Sequence, residues 1–301
     1  MNTEKDKHIF AIIGGDRRQE AICKSLTSRG HEVRAFGLGE VVGCKTYSNI
    51  ERMLEGSGVV ILPLPATKDN INVSLSSNLV TNKIKLTDVV GLAIKYGCKA
   101  ILGGRLPSEI LRIGKEKDIF INDYYEDDTL QVKNALPSAE GALMIAMEHT
   151  EKTIHGSRML VTGYGRIGSL LAKMLDELGA KVTVAVRNND VKKCLELSGY
   201  EVIKLGDENC ELSAAISDFD VIFNTVPYVL FTENVLEHAK HKPLYIEIAS
   251  SPGGIDVSAA RRADIQTIFA PSLPGKYAPV SAGEYIFETI SEVLKERSIY
   301  L

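Results

Sequence analysis

A strand, a turn with three glycines and a helix follow one another over 158–178 of this 301-residue chain, and that run restricts the fold more than any other feature. Residues 159–162 (MLVT) are apolar and β-branched enough for a strand buried on both faces. Gly163-Tyr164-Gly165-Arg166-Ile167-Gly168 comes next, and 166–178 carries a helical apolar period closed by Gly179. Each glycine has its own task in such a turn. Gly163 permits the tight bend, Gly165 lets backbone approach a pyrophosphate, and Gly168 lets helix and strand pack closely. The anion then lies over N–H groups at the positive end of the helix. A lone GxGxxG is a weak signal, and a structural turn without a ligand is its bland alternative. Here the strand before it, the helix after it and a further strand over 181–186 all stand at the right distance, which specifies a dinucleotide-binding unit. The candidate cofactor contacts in the turn are Gly163, Tyr164, Gly165, Arg166, Ile167 and Gly168.

The tip of the second strand selects the nucleotide. NAD-specific sites carry an acid there, ~20 residues on, to accept from the ribose 2′-OH. In this chain the strand runs out through Arg187-Asn188-Asn189, with Arg187 placed 24 residues after Gly163. A guanidinium binds a 2′-phosphate bidentately, whereas a carboxylate repels it. Arg187 therefore points to NADP in preference to NAD, with Asn188 and Arg166 assisting. The alternative is that Arg187 is a solvated strand end and Asp190 takes the ribose, although Asp190 also reads as the N-cap of the next helix. Asn224, Thr225 and Pro227 end a strand over 221–226. They line the path from adenosine to nicotinamide, or they are ordinary loop residues.

Short apolar runs alternate with helical patterns along the whole chain, which predicts an α/β fold of two doubly wound, Rossmann-like parallel-sheet domains with a cleft between them. In the first, strands are expected over 8–13, 31–36, 59–64, 99–102 and 118–121, with helices over 17–29, 88–96 and 108–117, giving a five-stranded flavodoxin-like sheet. In the second, strands over 201–205, 244–248 and 267–270 join those already named. Pro137 and Ser138 read as the start of a helix connecting the domains, with Ser138 as its N-cap. The residues after them are apolar nearly all round. A last helix over 282–297 has no place in a complete second sheet and is expected to cross back. The expected domains are 1–148 plus 277–301, on the substrate side, and 149–276, on the nucleotide side.

Charge and composition exclude several classes. With 35 Lys and Arg against 39 Asp and Glu, the net charge of −4 gives no basic excess for nucleic acid. No apolar run reaches the roughly 18 residues of a membrane span. The start MNTEKDKHIF has no secretory pattern. Cys23, Cys44, Cys98, Cys194 and Cys210 are scattered and read as reduced thiols of a cytoplasmic protein. His238 and His241 lack Cys or acidic partners nearby, so no metal site is expected.

Several turns hold candidates for a small anionic substrate. Arg17 and Arg18 follow Gly14-Gly15-Asp16 at a helix start, either as a carboxylate site or as a surface arginine pair. Asn134, Ser138 and Glu140 surround the expected start of the connecting helix. Gly103-Gly104-Arg105 ends a strand and offers another cation. The loops 249–254 and 270–276 suit contact with a flat ring, and Lys276 can pair with an acid, although turn formation alone accounts for most of these residues. No Ser/His/Asp order or paired-carboxylate spacing stands out. His149 and His155 are proton carriers or structural residues, and the catalytic group is left unassigned.

Taken together, Ile13-Gly14-Gly15-Asp16-Arg17-Arg18-Gln19, ILPLPAT (61–67), NALPSAEGALMIAME (134–148), HTEKTIHGSRMLVTGYGRIG (149–168), Asn224–Pro227, IASSPGG (248–254) and APSLPGKYAPVSA (270–282) closely resemble the dipicolinate synthase A subunit. The resemblance spans nearly the whole chain. It implies an NADP-dependent oxidoreductase that converts dihydrodipicolinate to dipicolinate in the mother-cell cytoplasm of a sporulating bacterium. It also implies a partner, the flavoprotein-like B subunit of dipicolinate synthase. The implied fold is like that of 2-hydroxyacid dehydrogenases, the N-terminal domain being completed by the C-terminal helix. The chemistry suits the site types. Loss of a hydride and a proton makes a planar dicarboxylate aromatic, so the protein needs to position a ring carbon, hold two carboxylates and accept a proton. Arg17, Arg18, Ser138 and Lys276 are the candidates for the carboxylates. A homo-oligomer is expected. Two other readings stand beside this one. One is a dinucleotide-binding partner whose catalysis requires or belongs to the B subunit. The other is an NADP-dependent dehydrogenase of another small dicarboxylate.

Overall fold

The computed structural model describes residues 8–76, 83–206 and 209–299, so most of the opening segment judged above for a secretory pattern lies outside the described residues. The chain divides into two compact units. One runs up to Asn134 and takes in the chain from Ala278, and the other is Ala135–Tyr277.

The first unit begins β1 (Ile9–Ile13), α1 (Arg17–Ser28), β2 (Glu32–Phe36), β3 (Lys45–Tyr47), α2 (Ile50–Leu54) and β4 (Val59–Ile61). It continues α3 (Leu86–Lys95), β5 (Ala100–Gly103), α4 (Ser108–Glu116) and β6 (Phe120–Asp123). The six strands are ordered β3-β2-β1-β4-β5-β6 and pair in parallel. β1, β4 and β5 are almost purely apolar and buried, as the middle of a sheet covered on both faces requires. The five strands read from the sequence are all present and, counted among themselves, follow the flavodoxin order. Among the described residues the expected count of five is nonetheless corrected to six. β3 is a three-residue edge strand, Lys45-Thr46-Tyr47, and it lacks the apolar run by which a strand is recognised.

The helix α5 (Asp128–His149) contains the cut between the two units. That boundary falls earlier than the 148/149 expected from sequence, because the second half of the helix, with Ala139, Ala142, Ile145 and Ala146, is built into the second unit's core. The expected helix start is also overturned. Pro137 lies inside α5, and the cap is Asp127, whose carboxylate accepts from Leu130 N at 2.7 Å. Asn134, Ser138 and Glu140 are therefore interior positions and do not sit at a positive helix end.

The second unit runs β7 (Arg158–Thr162), α6 (Arg166–Glu177), β8 (Lys181–Val186), α7 (Asn189–Leu197), β9 (Glu201–Lys204), α8 (Cys210–Ala215) and β10 (Val221–Asn224). α9 (Glu233–Leu236), β11 (Leu244–Glu247), α10 (Val257–Arg262), β12 (Thr267–Phe269) and α11 (Leu273–Tyr277) complete it. Its parallel sheet has the order β12-β11-β10-β7-β8-β9, the doubly wound order with its switch point between β7 and β10. Among the described residues no helix is long and apolar enough to cross a membrane.

The last helix, α12 (Pro279–Lys295), belongs to the first unit. Proline at its first turn costs no hydrogen bond. Ile286, Phe287, Ile290 and Leu294 of α12 join the core that also holds Phe10, Ile22 and Leu26. The approach of α12 to α1 depends on Gly283, where a Cβ would stand 2.6 Å from both the Ala21 Cβ and the Arg18 carbonyl oxygen. A Gly283→Val change is expected to cost about 2 kcal/mol or more through overpacking. Thermal unfolding checks it, and an unchanged melting temperature would mean that α12 does not seat on α1.

Candidate functional site

The carboxyl edge of the second sheet is built around the β7–α6 turn. Gly163 adopts φ +87°, a left-handed conformation, and donates to Ala185 O at 2.8 Å. A Cβ on Gly168 would lie 2.2 Å from the Gly163 carbonyl oxygen, so α6 starts as close to the turn as backbone allows. By contrast, nothing lies within 4 Å of the place where a Cβ on Gly165 would stand. α6 also has no side-chain cap, whereas Asp16, Asn49, Asn188 and Asp256 cap α1, α2, α7 and α10. Open space over Gly165 and an uncapped positive helix end fit a nucleotide pyrophosphate.

The predicted cofactor residues separate into a rim and a foundation. Tyr164, Gly165, Arg166, Arg187, Asn188 and Pro227 are exposed. Ile167 is half-buried and packs on the core below. Asn188 is the true cap of α7, accepting from Asp190 N at 2.7 Å and Val191 N at 3.2 Å. The reading of Asp190 as that cap is thereby corrected, since Asp190 stands inside the first turn. Asn224 is fully buried and does not face the turn's surface. Its amide donates to Val226 O at 2.9 Å and Glu247 Oε1 at 2.7 Å, and its carbonyl oxygen accepts from Val226 N and from the Thr162 hydroxyl. Thr225 donates its hydroxyl to Thr162 O at 2.7 Å and stands beside both Gly163 and Gly168. Asn224 and Thr225 thus hold the turn in shape from below.

Two residues at this edge escaped the sequence reading. Lys204, at the end of β9, pairs in register with Val186, and its ammonium donates to the Arg187 carbonyl, which puts a second cation at the tip of β8. Glu247, at the end of β11, is buried under the edge. A lone carboxylate within the apolar run LYIEI was the available signal for Glu247. Nothing local marks Lys204, because strand pairing alone brings it there.

The first unit's candidates are engaged differently. Arg18 is buried, and its guanidinium binds the Asp16 carboxylate through Nε at 2.9 Å and Nη2 at 2.7 Å and also donates to Leu64 O. Burial alone would raise the Asp16 carboxyl, but the hydrogen bonds and charge of Arg18, with Lys68 adding, hold it below its usual value. Arg17 is exposed and lines a groove of about 350 Å³ between α1 and α12, together with Glu20, Lys24 and Glu284. Arg105 is exposed and lies 4.9 Å over the Tyr125 ring, on a backbone held by Asp123, which accepts from Arg105 N at 2.9 Å and Leu106 N at 2.6 Å. Asn134 and Ser138 are buried one turn apart on one face of α5, while Glu140 is exposed on another. Lys276 is exposed, 4.8 Å over the Tyr277 ring, and hydrogen bonding to Tyr277 raises its pKa. Among the described residues no group of His, Cys, Asp or Glu is arranged to hold a metal ion.

Comparison with known proteins gives these features their setting. Residues 137–247 match the NAD-binding domain of D-isomer specific 2-hydroxyacid dehydrogenases. The apo-structure of D-lactate dehydrogenase from Escherichia coli has the same fold, with a TM-score of 0.61 at 14% identity over 97% of this chain and 98% of that one. The chain is an NAD(P)-dependent oxidoreductase with a nicotinamide-dinucleotide domain. Residues 9–125 match the N-terminal domain of the dipicolinate synthase A subunit. The dipicolinate synthase A subunit of Bacillus subtilis is 28% identical over 95% of this chain and 96% of its own length. The crystal structure of the corresponding subunit from Bacillus halodurans superposes with a TM-score of 0.82 at 28% identity, covering 95% and 97% of the two chains. Over nearly its whole length the chain is thus similar to dipicolinate synthase A subunits, the family its sequence resembles.

Two substitutions in the turn separate fold from ligand. Gly165→Ala is expected to melt like the parent but to bind nucleotide at least ~10-fold more weakly, and Gly168→Ala to lose both stability and binding, because its methyl meets backbone. Melting curves with and without NADPH distinguish the two, and equal binding by Gly165→Ala would remove the nucleotide from this turn. Asp16→Asn leaves Arg18 buried without its counter-charge. The expected loss is on the order of 2 kcal/mol at neutral pH, less than for a fully buried pair, because the Asp16 side chain is 40% exposed. A depressed carboxyl stabilises the fold above its unfolded pKa and ceases to do so as pH falls through its folded one. The difference in denaturation midpoint between parent and variant should therefore shrink progressively below about pH 3.8, the ordinary value for Asp.

Proposed function

We propose that this chain oxidises dihydrodipicolinate to dipicolinate with NADP+ as hydride acceptor, in complex with the dipicolinate synthase B subunit. The observation that carries this reading is the joining of two domains in one chain. Residues 9–125 match the N-terminal domain of the A subunit family, and residues 137–247 match a nicotinamide-dinucleotide domain. When bound, the nicotinamide supplies the hydride acceptor, and the remaining work is binding, orientation and removal of one proton. The turn Gly163–Gly168 and the first turn of α6 receive the pyrophosphate. Arg187 and Lys204, with Asn188 and Arg166, receive the 2′-phosphate that distinguishes NADP from NAD. Tyr164 and Pro227 complete the exposed rim.

For the two carboxylates of the substrate, the exposed cations Arg17 and Lys276 are the best suited. Arg18 is neutralised by Asp16, so its contribution is to fix the Gly14–Arg17 turn. Asn134 and Ser138, which share a face of α5, contribute polar groups, whereas Glu140 lies on another face and its carboxylate would repel those of the substrate. Action in the cytoplasm of a sporulating mother cell, and assembly as a homo-oligomer, belong to the same proposal.

One observation favours a second reading, in which catalysis depends on the B subunit. The His149 ring nitrogen Nδ1 faces its own helix at Ile145 O, 3.0 Å away, and His155 packs against Gly179, ahead of β8 at the amino edge of the sheet. Neither histidine stands at the nucleotide rim. Purified chain given dihydrodipicolinate and NADP+ decides between the readings. Growth of NADPH absorbance supports the enzyme as proposed, and silence until the B subunit is added supports the second reading. For the nucleotide, Arg187→Ala and Lys204→Ala are each expected to lower NADPH affinity about 10-fold or more while leaving NADH nearly unchanged. Equal affinities of the parent for NADPH and NADH would end the assignment to NADP.

A further inference from the structure

Glu247 is 3% exposed, and both of its carboxylate oxygens are occupied. Oε1 accepts from Asn224 Nδ2 at 2.7 Å and Ala249 N at 3.1 Å. Oε2 accepts from the Tyr245 hydroxyl at 3.0 Å and Gly254 N at 2.7 Å. All four donors are neutral. Burial and the adjacent Glu247 charge push the Tyr245 phenol far up, so its hydroxyl remains a donor. Four donors and no proton to give away suit an ionised carboxylate, whereas a protonated one would leave a donor without an acceptor. A buried charge held by neutral groups alone keeps its field, which reaches outward through a poorly screening interior.

Its place in the fold gives that field a direction. Glu247 pairs in register with Asn224, and both end their strands at the carboxyl edge, on the β10–β11 side of the switch point. Arg187 and Lys204 end β8 and β9 on the other side. A dinucleotide lying across a switch point places its two halves over the two sides. With the adenosine half toward Arg187 and Lys204, the nicotinamide half extends over the edge that Glu247 underlies. The oxidised nicotinamide carries a positive charge, which hydride transfer cancels.

We propose that Glu247 is an electrostatic positioning residue that stabilises the oxidised nicotinamide relative to the reduced one, poising the bound cofactor as a weaker oxidant than the free one. The inference rests on the nicotinamide-dinucleotide reading of this unit, although not on the choice of NADP over NAD. The oxidation of a dihydropyridine to an aromatic pyridine is favourable enough to tolerate that loss of driving force. The benefit is retention of the form of the cofactor that must be loaded before each turnover, and easier release of the reduced form afterwards.

The experiment compares dissociation constants of the full-length chain for the oxidised and reduced forms of whichever pair binds, NADP+ and NADPH or NAD+ and NADH, by calorimetry without substrate. For the parent, the oxidised form is expected to bind more tightly. Glu247→Gln removes the charge while keeping the shape, and should shift the ratio of the two constants toward the reduced form by on the order of three- to tenfold. Tenfold corresponds to about 30 mV in the potential of the bound couple. Tyr245→Phe removes one hydrogen bond from the same carboxylate but leaves its charge, so it should leave the ratio where it was. Loss of affinity for both forms alike in Glu247→Gln, or the same ratio shift in Tyr245→Phe, would overturn the inference and make Glu247 a brace for the 249–254 loop. Should Glu247→Gln fail to fold, the parent alone decides, because tighter binding of the reduced form contradicts the inference directly. If neither form binds, the nucleotide reading itself fails and takes this inference with it.

Discussion

Everything at the candidate site depends on how close the Gly163 carbonyl comes to the start of α6. A side chain on residue 168 would be driven to within 2.2 Å of that oxygen, so only glycine lets the helix begin there. Thr225 then fills the remaining space, with its hydroxyl tied to Thr162 O at 2.7 Å, and this fastens the end of β10 to the end of β7 across the switch point. Asn224, buried beside it, passes the connection on to Glu247 at the end of β11. One close backbone approach is thus linked, strand by strand, to the shape of three exit loops. Those loops are mobile elements in most proteins. Here a chain of buried hydrogen bonds beneath them removes that freedom where a ligand needs fixed geometry.

The parts of this arrangement legible in the sequence are those whose cause is local. The turn is written in three glycines, the buried strands in apolar runs, and α12 in a helical period with Pro279 at its start. The misreadings have the opposite character. β3 is held only by its pairing with β2, and Lys45-Thr46-Tyr47 has no apolar side to announce it. Pro137 looked like a helix start because proline is at home in a first turn. The stronger signal lay further back, where Asp127 accepts from Leu130 N and nine helical residues precede the proline. Propagation from an existing helix is cheaper than nucleation, so α5 runs through a residue that would not have joined it unaided.

The same distinction separates the site residues. Arg187 follows its own strand and is readable from the spacing after Gly163. Lys204 lies on a different strand and reaches the same spot only because β8 and β9 pair with Val186 opposite Lys204. Asn224 reads as a ligand contact because it ends a strand at the right edge, yet its amide is spent within the protein, and no sequence pattern distinguishes an exposed asparagine from a buried one. Arg17 and Arg18 are neighbours in sequence but have opposite fates. Arg18 turns inward to Asp16 and Leu64, and Arg17 turns outward to the groove beside α12.

The charges along the second sheet's carboxyl edge have an order that bears on how a dinucleotide lies there. Arg187 and Lys204 place two cations at the β8–β9 end, with the Glu211 carboxylate beside Lys204, and Glu247 places a buried carboxylate at the β10–β11 end. An NADP+ molecule has the complementary polarity, with an extra phosphate on its adenosine ribose and a cationic ring at the opposite end. Placed one way, each end meets an opposite charge, and placed the other way, each meets a like charge. The exposed Arg187 and the half-buried Lys204 are screened by solvent and act over short range, whereas the buried carboxylate is screened less. On the proposed placement, the negative end would therefore discriminate orientation even at salt concentrations that weaken the positive one. On the proposed orientation, hydride transfer would neutralise the ring and end the attraction at that end, leaving the phosphate contacts to hold the product nucleotide.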